Sequence, residues 1–356
     1  MPFPSFRIIP KKSLGIDIGT SSIRIIELSR WGERVKLENY GEMSVRALYA
    51  KPFRTFDKST LLLSNENIAK AIKAILEDTK IKTRRAIIGI PDFSTFFTNF
   101  ELPPMSKKEL EEAVGYEARR HVPIPLGEVT LDWQVVEGRV VNGQGTTLEV
   151  LLAAVPNEVI NEYKSLAELS GLELFALEAE VFGLVRSLID EEDRRPIIVI
   201  DIGAQSTTCS LIYQRILRKS HSFDVSANQL TELVSKSLSI DYRAAEKLKE
   251  KYGLLSQEKD INKILLPIID IMIKEVEAIC QNFQAKEKEE VQKIIIAGST
   301  ALLPGLKEYF QENFKAEIET ANPFSKIFYP PILEKTLKII GPAYAVAVGM
   351  ALRGLE

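Results

Sequence analysis

One device appears twice in this chain, and its repetition limits the fold more than any other feature. Leu14 to Trp31, LGIDIGTSSIRIIELSRW, reads as a strand, a tight turn at Gly19 and a returning strand. Residues 197–213, IIVIDIGAQSTTCSLIY, repeat it: a buried apolar run reaches Asp201-Ile202-Gly203, turns through Ala204-Gln205-Ser206 and returns. Two copies so far apart imply two related half-domains that each offer an equivalent turn to a shared cleft. An Asp at a strand end followed by Gly and small hydroxyl residues suits phosphate, because glycine lets backbone N–H groups come close to the oxygens. Gly19, Thr20, Ser21 and Ser22 have this form, as do Gly203, Ala204, Gln205 and Ser206. The plain alternative for a single copy is an ordinary hairpin turn. A carboxylate meets phosphate only through a cation, so Asp17 and Asp201 are expected to hold waters of a Mg²⁺, which keeps much of its hydration. Their plain alternative is a turn-capping role.

Between the copies, Glu66 to Glu77 has helical spacing and Arg85 to Ile90 reads as a strand ended by Pro91. Ser106 then caps an amphipathic helix from Lys107 to about His121, stopped by Pro123 and Pro125. Two strands, Val129 to Val136 and Thr147 to Ala154, complete a compact α/β insert around the turn-rich GRVVNGQG. After the second copy come three helices, over about Asn228 to Leu238, Asp241 to Tyr252 and Asp260 to Ala285. A buried strand, Val291 to Ala297, leads into Gly298-Ser299-Thr300, a small-residue turn that suits a flat ligand face or merely joins strand to helix. An Ala- and Val-rich helix from Gly341 to Leu352 closes the chain.

The chain has 356 residues and a formal net charge of −3, from 46 Lys plus Arg against 49 Asp plus Glu, which argues against nucleic acid as the main partner. The longest apolar runs are strand-sized, so no transmembrane helix is expected, and the N-terminus lacks a signal-peptide pattern. The cytoplasm is the expected compartment. Cys209 and Cys280 are read as core residues, while His121 and His221 are too few for a metal centre.

The order of these motifs, with A-E-x-L-K at Ala245, Glu246, Leu248 and Lys249 in the helical region, resembles the actin-like ATPase superfamily along essentially the whole chain. Within it, ELPPMSKKELEEAVGYEARRHVPIPLGEVTLDWQVV at 101–136 and EVLLAAVPNEVINEYKSLAELSGL at 149–172 resemble the PilM family of type IV pilus assembly more than FtsA of cell division. The resemblance implies an α/β, actin-like (ribonuclease H-like duplicated) fold with two lobes, an FtsA/PilM-type inserted subdomain and a helical subdomain. The first lobe would take 14–91, 166–195 and 340–356, and the insert 92–165. The second lobe would take 196–225 and 290–339, and the helical subdomain 226–289.

The resemblance further implies ATP with Mg²⁺: Thr20, Ser21 and Ser22 at the phosphates from one lobe, and Gly203, Ala204, Gln205 and Ser206 from the other. Asp17 and Asp201 would orient the metal, Glu246 and Lys249 would lie near the ribose, and Gly298 and Ser299 would line the adenine. Glu180 lies where relatives orient the attacking water; its plain alternative is a helix N-terminal glutamate favoured by the macrodipole. Two departures stand out. Val225-Ser226 and Gly298-Ser299 occupy positions where the family commonly has Gly-Gly pairs, which argues for slow or absent hydrolysis. The implied partner is a PilN-like inner-membrane protein, bound through its cytoplasmic N-terminal peptide by the insert and the neighbouring lobe. That would place the chain at the cytoplasmic face of the inner membrane without insertion, with self-association into a ring or filament as a further expectation. Leu126, Val129, Leu131 and Trp133 are candidate peptide contacts, or else core members of their strand. The competing functions are a sugar or acetate kinase-like phosphotransferase, which needs a substrate base in the cleft, and an FtsA-like filament protein, which should end in an amphipathic helix where this chain ends GMALRGLE.

Overall fold

The computed structural model describes residues 11–44, 64–140, 146–255 and 260–356; residues 1–10 and the tip of the expected GRVVNGQG turn, 141–145, lie outside them. The chain opens with the expected hairpin, β1 (Lys11–Ile18) and β2 (Ser22–Trp31), and continues into β3 (Arg34–Ser44). Helix α1 (Asn65–Asp78) turns Ile68, Ile72 and Ile75 toward these strands, and β4 (Arg85–Ile90) follows. The insert comprises β5 (Phe96–Leu102), α2 (Lys107–His121), β6 (Val129–Val140) and β7 (Thr146–Pro156). A capping box starts α2: the Ser106 hydroxyl accepts from the Glu109 N–H, and the Glu109 carboxylate accepts from the Ser106 N–H. Such a cap contributes about 1 kcal/mol.

Helix α3 (Asn157–Leu169) and β8 (Glu173–Ala179) return the chain to the first sheet, and α4 (Glu180–Leu188) crosses to the second copy. There β9 (Ile197–Ile202), β10 (Thr207–Tyr213) and β11 (Ile216–Phe223) precede α5 (Ala227–Leu238), α6 (Tyr242–Tyr252) and α7 (Ile261–Glu287). The chain ends with β12 (Lys293–Ala297), α8 (Leu306–Asn313), β13 (Glu317–Thr320) and α9 (Glu334–Arg353).

The duplication is exact at the level of topology. One sheet runs β3-β2-β1-β4-β8 and the other β11-β10-β9-β12-β13, each an antiparallel three-strand meander followed by two parallel strands. The insert forms its own sheet, β5-β7-β6. Helices α1 and α3 cover the outer face of the first sheet. Helices α4 and α9 fill the space between the two sheets, where Leu184, Val346 and Met350 meet Ile87 on one side and Val199 and Ile295 on the other. On the far face of the second sheet, α5, α7 and α8 share one core with its strands. The helices expected at 226–289 as a subdomain are thus continuous with the second lobe. Helix α3 begins within the residues assigned to the insert, yet Val159 and Tyr163 pack into the first sheet's core. Phe324 and Ile327, assigned to the second lobe, pack with Ile26 and Leu28 of the first.

Helix α9 corrects the reading that every apolar run is strand-sized. The stretch Pro331–Arg353 is long and apolar enough to cross a membrane by length and composition, but 61% of its 18-residue apolar window is buried inside the protein. Its close approach depends on small residues: a Cβ on Gly349 would lie 2.0 Å from the carbonyl oxygen of Gly183 in α4, and one on Gly15 would lie 1.9 Å from that of Ala347.

Candidate functional site

The two repeated turns close in the same way. In the first, the Gly19 N–H donates to the Ser22 carbonyl at 3.0 Å; in the second, the Gly203 N–H donates to the Ser206 carbonyl at 3.0 Å. Each bond holds a two-residue tip, Thr20-Ser21 or Ala204-Gln205, out over the gap between the sheets. The second turn is braced further, because Ala227 and Asn228 at the start of α5 donate their N–H groups to the Gly203 and Ala204 carbonyls, both at 3.0 Å.

Between the turns lies a cavity of about 90 Å³ that both tips, Asp17, Asp201, Glu180 and Gly298 line. It adjoins a wider cavity of about 500 Å³ bordered by Glu246, Lys249, Thr300 and Leu303, with Ser21, Arg24, Ala204 and Ser299 common to both. The wider volume is within the range of small-molecule sites. Every residue expected at the site therefore borders one of these two spaces. Lys249 reaches it as a buried ammonium that donates to the Thr231 hydroxyl at 2.8 Å and the Ala227 carbonyl at 3.2 Å, so it also ties α6 to α5. Of the proposed peptide contacts, Val129 is buried in the insert's own core and Leu126 and Leu131 pack on it, whereas Trp133 also borders a separate groove.

The two departures from the glycine pattern have local explanations. The backbone needs a left-handed conformation at Gly298 (φ +85°), not at Ser299, which simply starts a short 3-10 turn. Ser226 has φ −153° and caps α5, its hydroxyl accepting from the Gln229 N–H at 3.3 Å.

The narrow part of the cleft is acidic, and among the described residues Arg24 is the cation that lines it. Burial pushes the Asp17 carboxyl above the usual range despite Arg24, whose guanidinium lies 3.3 Å from it and also reaches Glu42 at 3.1 Å. Burial, helped by the charge of Asp17, lifts Asp201 to about 6, although one edge of the residue stays open to the cleft. Glu180, at the N-terminus of α4, is raised well above the ordinary carboxyl by burial and then by the charges of Asp17, Asp92 and Asp201. Sequence reasoning missed Asp92 and Arg24. Asp92, in a short turn after Pro91, accepts from the Val181 N–H at 3.1 Å, and burial raises it to about 7. Only Arg24, two residues past a turn residue and facing Asp17 across the hairpin, carried a signal: the strand register Asp17↔Arg24 follows from the turn length.

The residues fit a hydrated magnesium ion and a phosphate chain. Among the described residues no three His, Cys, Asp or Glu side chains form a direct metal cage. Two carboxylates on facing turns, held in mutual repulsion, suit a cation that binds through water. The Ser22 hydroxyl and the Gln205 side-chain oxygen are buried without a partner, so the cleft holds polar groups that a ligand or its waters would satisfy.

Two sheets of identical order around such a cleft define an actin-like fold. A solved PilM–PilN type IV pilus biogenesis complex shares it with TM-score 0.82 and 25% identity, covering 97% of this chain and 98% of that one. MreB5 of Spiroplasma citri, solved with ADP, shares the fold at TM-score 0.55 and 14% identity over 96% of this chain and 95% of its own. In sequence, cell division protein FtsA of Streptococcus pneumoniae serotype 2 is 23% identical over 381 aligned positions, gaps included, that cover 95% of this chain and 79% of FtsA. The family described as type IV pilus assembly protein PilM matches residues 15–355, and the chain belongs to that family.

Proposed function

We propose that this protein is a nucleotide-binding scaffold of type IV pilus assembly, which takes Mg-ATP in the interlobe cleft and binds the cytoplasmic N-terminal peptide of a PilN-like inner-membrane protein. The observation that carries the nucleotide reading is the joined pair of cavities. The narrow part between two glycine turns has the size and polarity for a phosphate chain, and the wider part beside Glu246 and Lys249 has room for a nucleoside. Thr20, Ser21, Gly203 and Gln205 would hold phosphate oxygens, and Asp17 and Asp201 would orient the waters of magnesium. A bound magnesium ion would offset phosphate charge and screen the carboxylates from one another. Arg24, paired with Asp17, would share that work from the first lobe.

Turnover is not required of a scaffold. Glu180 would orient an attacking water, and its carboxyl is raised well above the ordinary range by burial and then by the charges of Asp17, Asp92 and Asp201.

The peptide reading rests on the family and on a groove of about 380 Å³ where the insert meets the first lobe. Trp133 and Leu151 border it from the insert, and Phe182, Arg186 and Arg353 from the helices beneath. Arg186 holds Glu178 through two hydrogen bonds of 2.7 and 2.8 Å, which fixes the floor. Through such a partner the chain would sit at the cytoplasmic face of the inner membrane. Calorimetric titration with Mg-ATP, and separately with the N-terminal peptide of a PilN-like partner, tests both halves. Absence of nucleotide binding, or phosphate transfer to a small sugar, would sink the scaffold reading.

A further inference from the structure

Three cations gather at the end of the first sheet farthest from the nucleotide cleft. Lys11 and Arg30 are directly opposite one another in the β1–β2 ladder, so their side chains share a face. The parallel register Leu14↔Ala86 sets Arg85 level with Ser13, two residues along β1 from Lys11 and therefore on that same face. The whole length of β1 separates Lys11 from the first glycine turn, a span of roughly 23 Å at ~3.3 Å per residue.

All three cations are half-buried, and among the described residues none of them forms an ion pair. The Nε–H groups of Arg30 and Arg85 are enclosed without an acceptor, which is costly for a charged donor. The Arg85 guanidinium lies 3.7 Å over the Phe175 ring, which covers one flat face and gives its in-plane N–H groups no acceptor. Phe175 is itself 54% exposed, so this side of the cluster meets solvent.

The carboxylates nearby do not fill the need. Glu356 is held by Arg186 at 2.9 Å and by Arg353 at 2.7 Å, and Glu173, beside Arg85 in register, is exposed and pairs with none of the three. Burial, then the charges of Arg85 and Arg30, pull the Lys11 ammonium below its ordinary range, and Glu356 offsets only part of this. Ser13 lies against Gly354, just past the end of α9, and a helix C-terminus carries only about −0.5 of a charge against three cations.

We infer that Lys11, Arg30 and Arg85 bind a phosphate monoester. Such a group brings a charge of about −1.5 to −2 and three strong acceptor oxygens. The two guanidinium groups donate their unpaired N–H groups to those oxygens, and Lys11 adds a point charge beside them. A carboxylate, with a single charge, leaves two of the three cations unbalanced. The site does not depend on the nucleotide or PilN-like readings, and neither of those needs it.

The test is calorimetric titration with glycerol 3-phosphate at pH 8 and low salt, with acetate as the comparison ion. The expected result is binding of the phosphate ester with Kd below about 1 mM and no measurable binding of acetate. The double variant Arg30→Gln, Arg85→Gln should weaken the ester at least ~10-fold and leave Mg-ATP affinity unchanged, which separates this site from the cleft. It removes cations that repel one another, so it should melt no lower than the parent. Lys11→Gln, a single change at a half-buried position, should weaken the ester at least ~3-fold and decides the matter should the double variant not fold. Co-sedimentation with phosphatidylcholine vesicles, with and without phosphatidic acid, separates the sources of the phosphate. Binding only to the vesicles with phosphatidic acid, lost in the double variant, assigns a lipid headgroup; ester binding without vesicle binding assigns a soluble phosphate, and either supports the site. Absence of binding to both the ester and the phosphatidic acid vesicles, equal binding of acetate, or unchanged ester affinity in the variants overturns the proposal.

Discussion

Asp17 and Asp201 sit on equivalent turns of two duplicated sheets, yet the structure treats them differently. Arg24 pairs with Asp17 at 3.3 Å within its own hairpin, while Asp201 feels Arg24 only as a more distant charge that offsets part of its burial and of its repulsion by Asp17. Asp201→Ala should therefore weaken Mg-ATP binding by at least ~10-fold and leave the melting temperature at pH 8 unchanged or slightly higher, since a repelled carboxylate is lost. Calorimetry and differential scanning fluorimetry on the same sample check both parts; a fall in stability with unaltered nucleotide affinity would reduce Asp201 to a turn cap. Arg24→Ala should also weaken Mg-ATP, and in addition raise the Asp17 carboxyl further. Asp92 offers a pH signature. Its carboxyl ordinarily titrates near 3.8 but is held at about 7 in the fold, so between these values the folded chain keeps a proton that the unfolded chain has released. Its contribution to stability thus falls as pH rises through that window and is most unfavourable above about 7. Asp92→Asn, which can still accept from the Val181 N–H, should flatten the melting temperature against pH between about 4 and 7 and raise it at pH 8. The sequence held the carboxylates of the two turns because hairpin geometry is local. It gave no sign of Asp92, whose burial depends on α4 folding over it from 89 positions away.

At the scale of elements, the hairpins, the insert's helix and the three helices of the second half were legible, because periodicity and caps are properties of short stretches. Helix α2 begins and ends where Ser106 and the two prolines put it. The strands that escaped are β3, β11 and β13, each at a sheet edge with mixed polarity. An edge strand is buried on fewer sides, so its sequence need not alternate, and pairing with a neighbour is what makes it a strand. The turn after β12 shows how one element is fixed by tertiary contact. Gly298 has φ +85° and its N–H donates to the Pro342 carbonyl of α9 at 2.9 Å. A Cβ there would lie 2.4 Å from the Ile202 carbonyl oxygen and 2.8 Å from Asp201 Oδ1. Gly298→Ala should cost on the order of 2–4 kcal/mol in urea unfolding and lower Mg-ATP affinity by displacing Asp201. Ser299→Gly, where the backbone is not left-handed, should leave nucleotide affinity within about twofold.

For the whole molecule, the decisive layer is the pair α4 and α9 packed between two sheets. A ligand that touches both turns links the lobes above that layer, so saturating Mg-ATP should raise stability by about 2.7 kcal/mol at a hundred times its Kd, visible as a concentration-dependent melting temperature. The insert is positioned by the same assembly, with one face on its own helix and the other on α4 and β11. Trp133→Ala should therefore weaken the PilN-like peptide by roughly tenfold while Mg-ATP affinity is unchanged, because Trp133 borders the groove between the insert and the first lobe and lines neither part of the nucleotide cleft. By itself, the sequence determined the duplication, the two DIG turns and the helices, since turn chemistry and periodic burial are written in neighbouring residues. The tertiary structure alone decided which turns face each other, that α9 is a core helix between sheets, and where the grooves lie. Those outcomes depend on contacts between segments far apart in the chain, where small residues such as Gly15, Gly183 and Gly349 set the distance of approach.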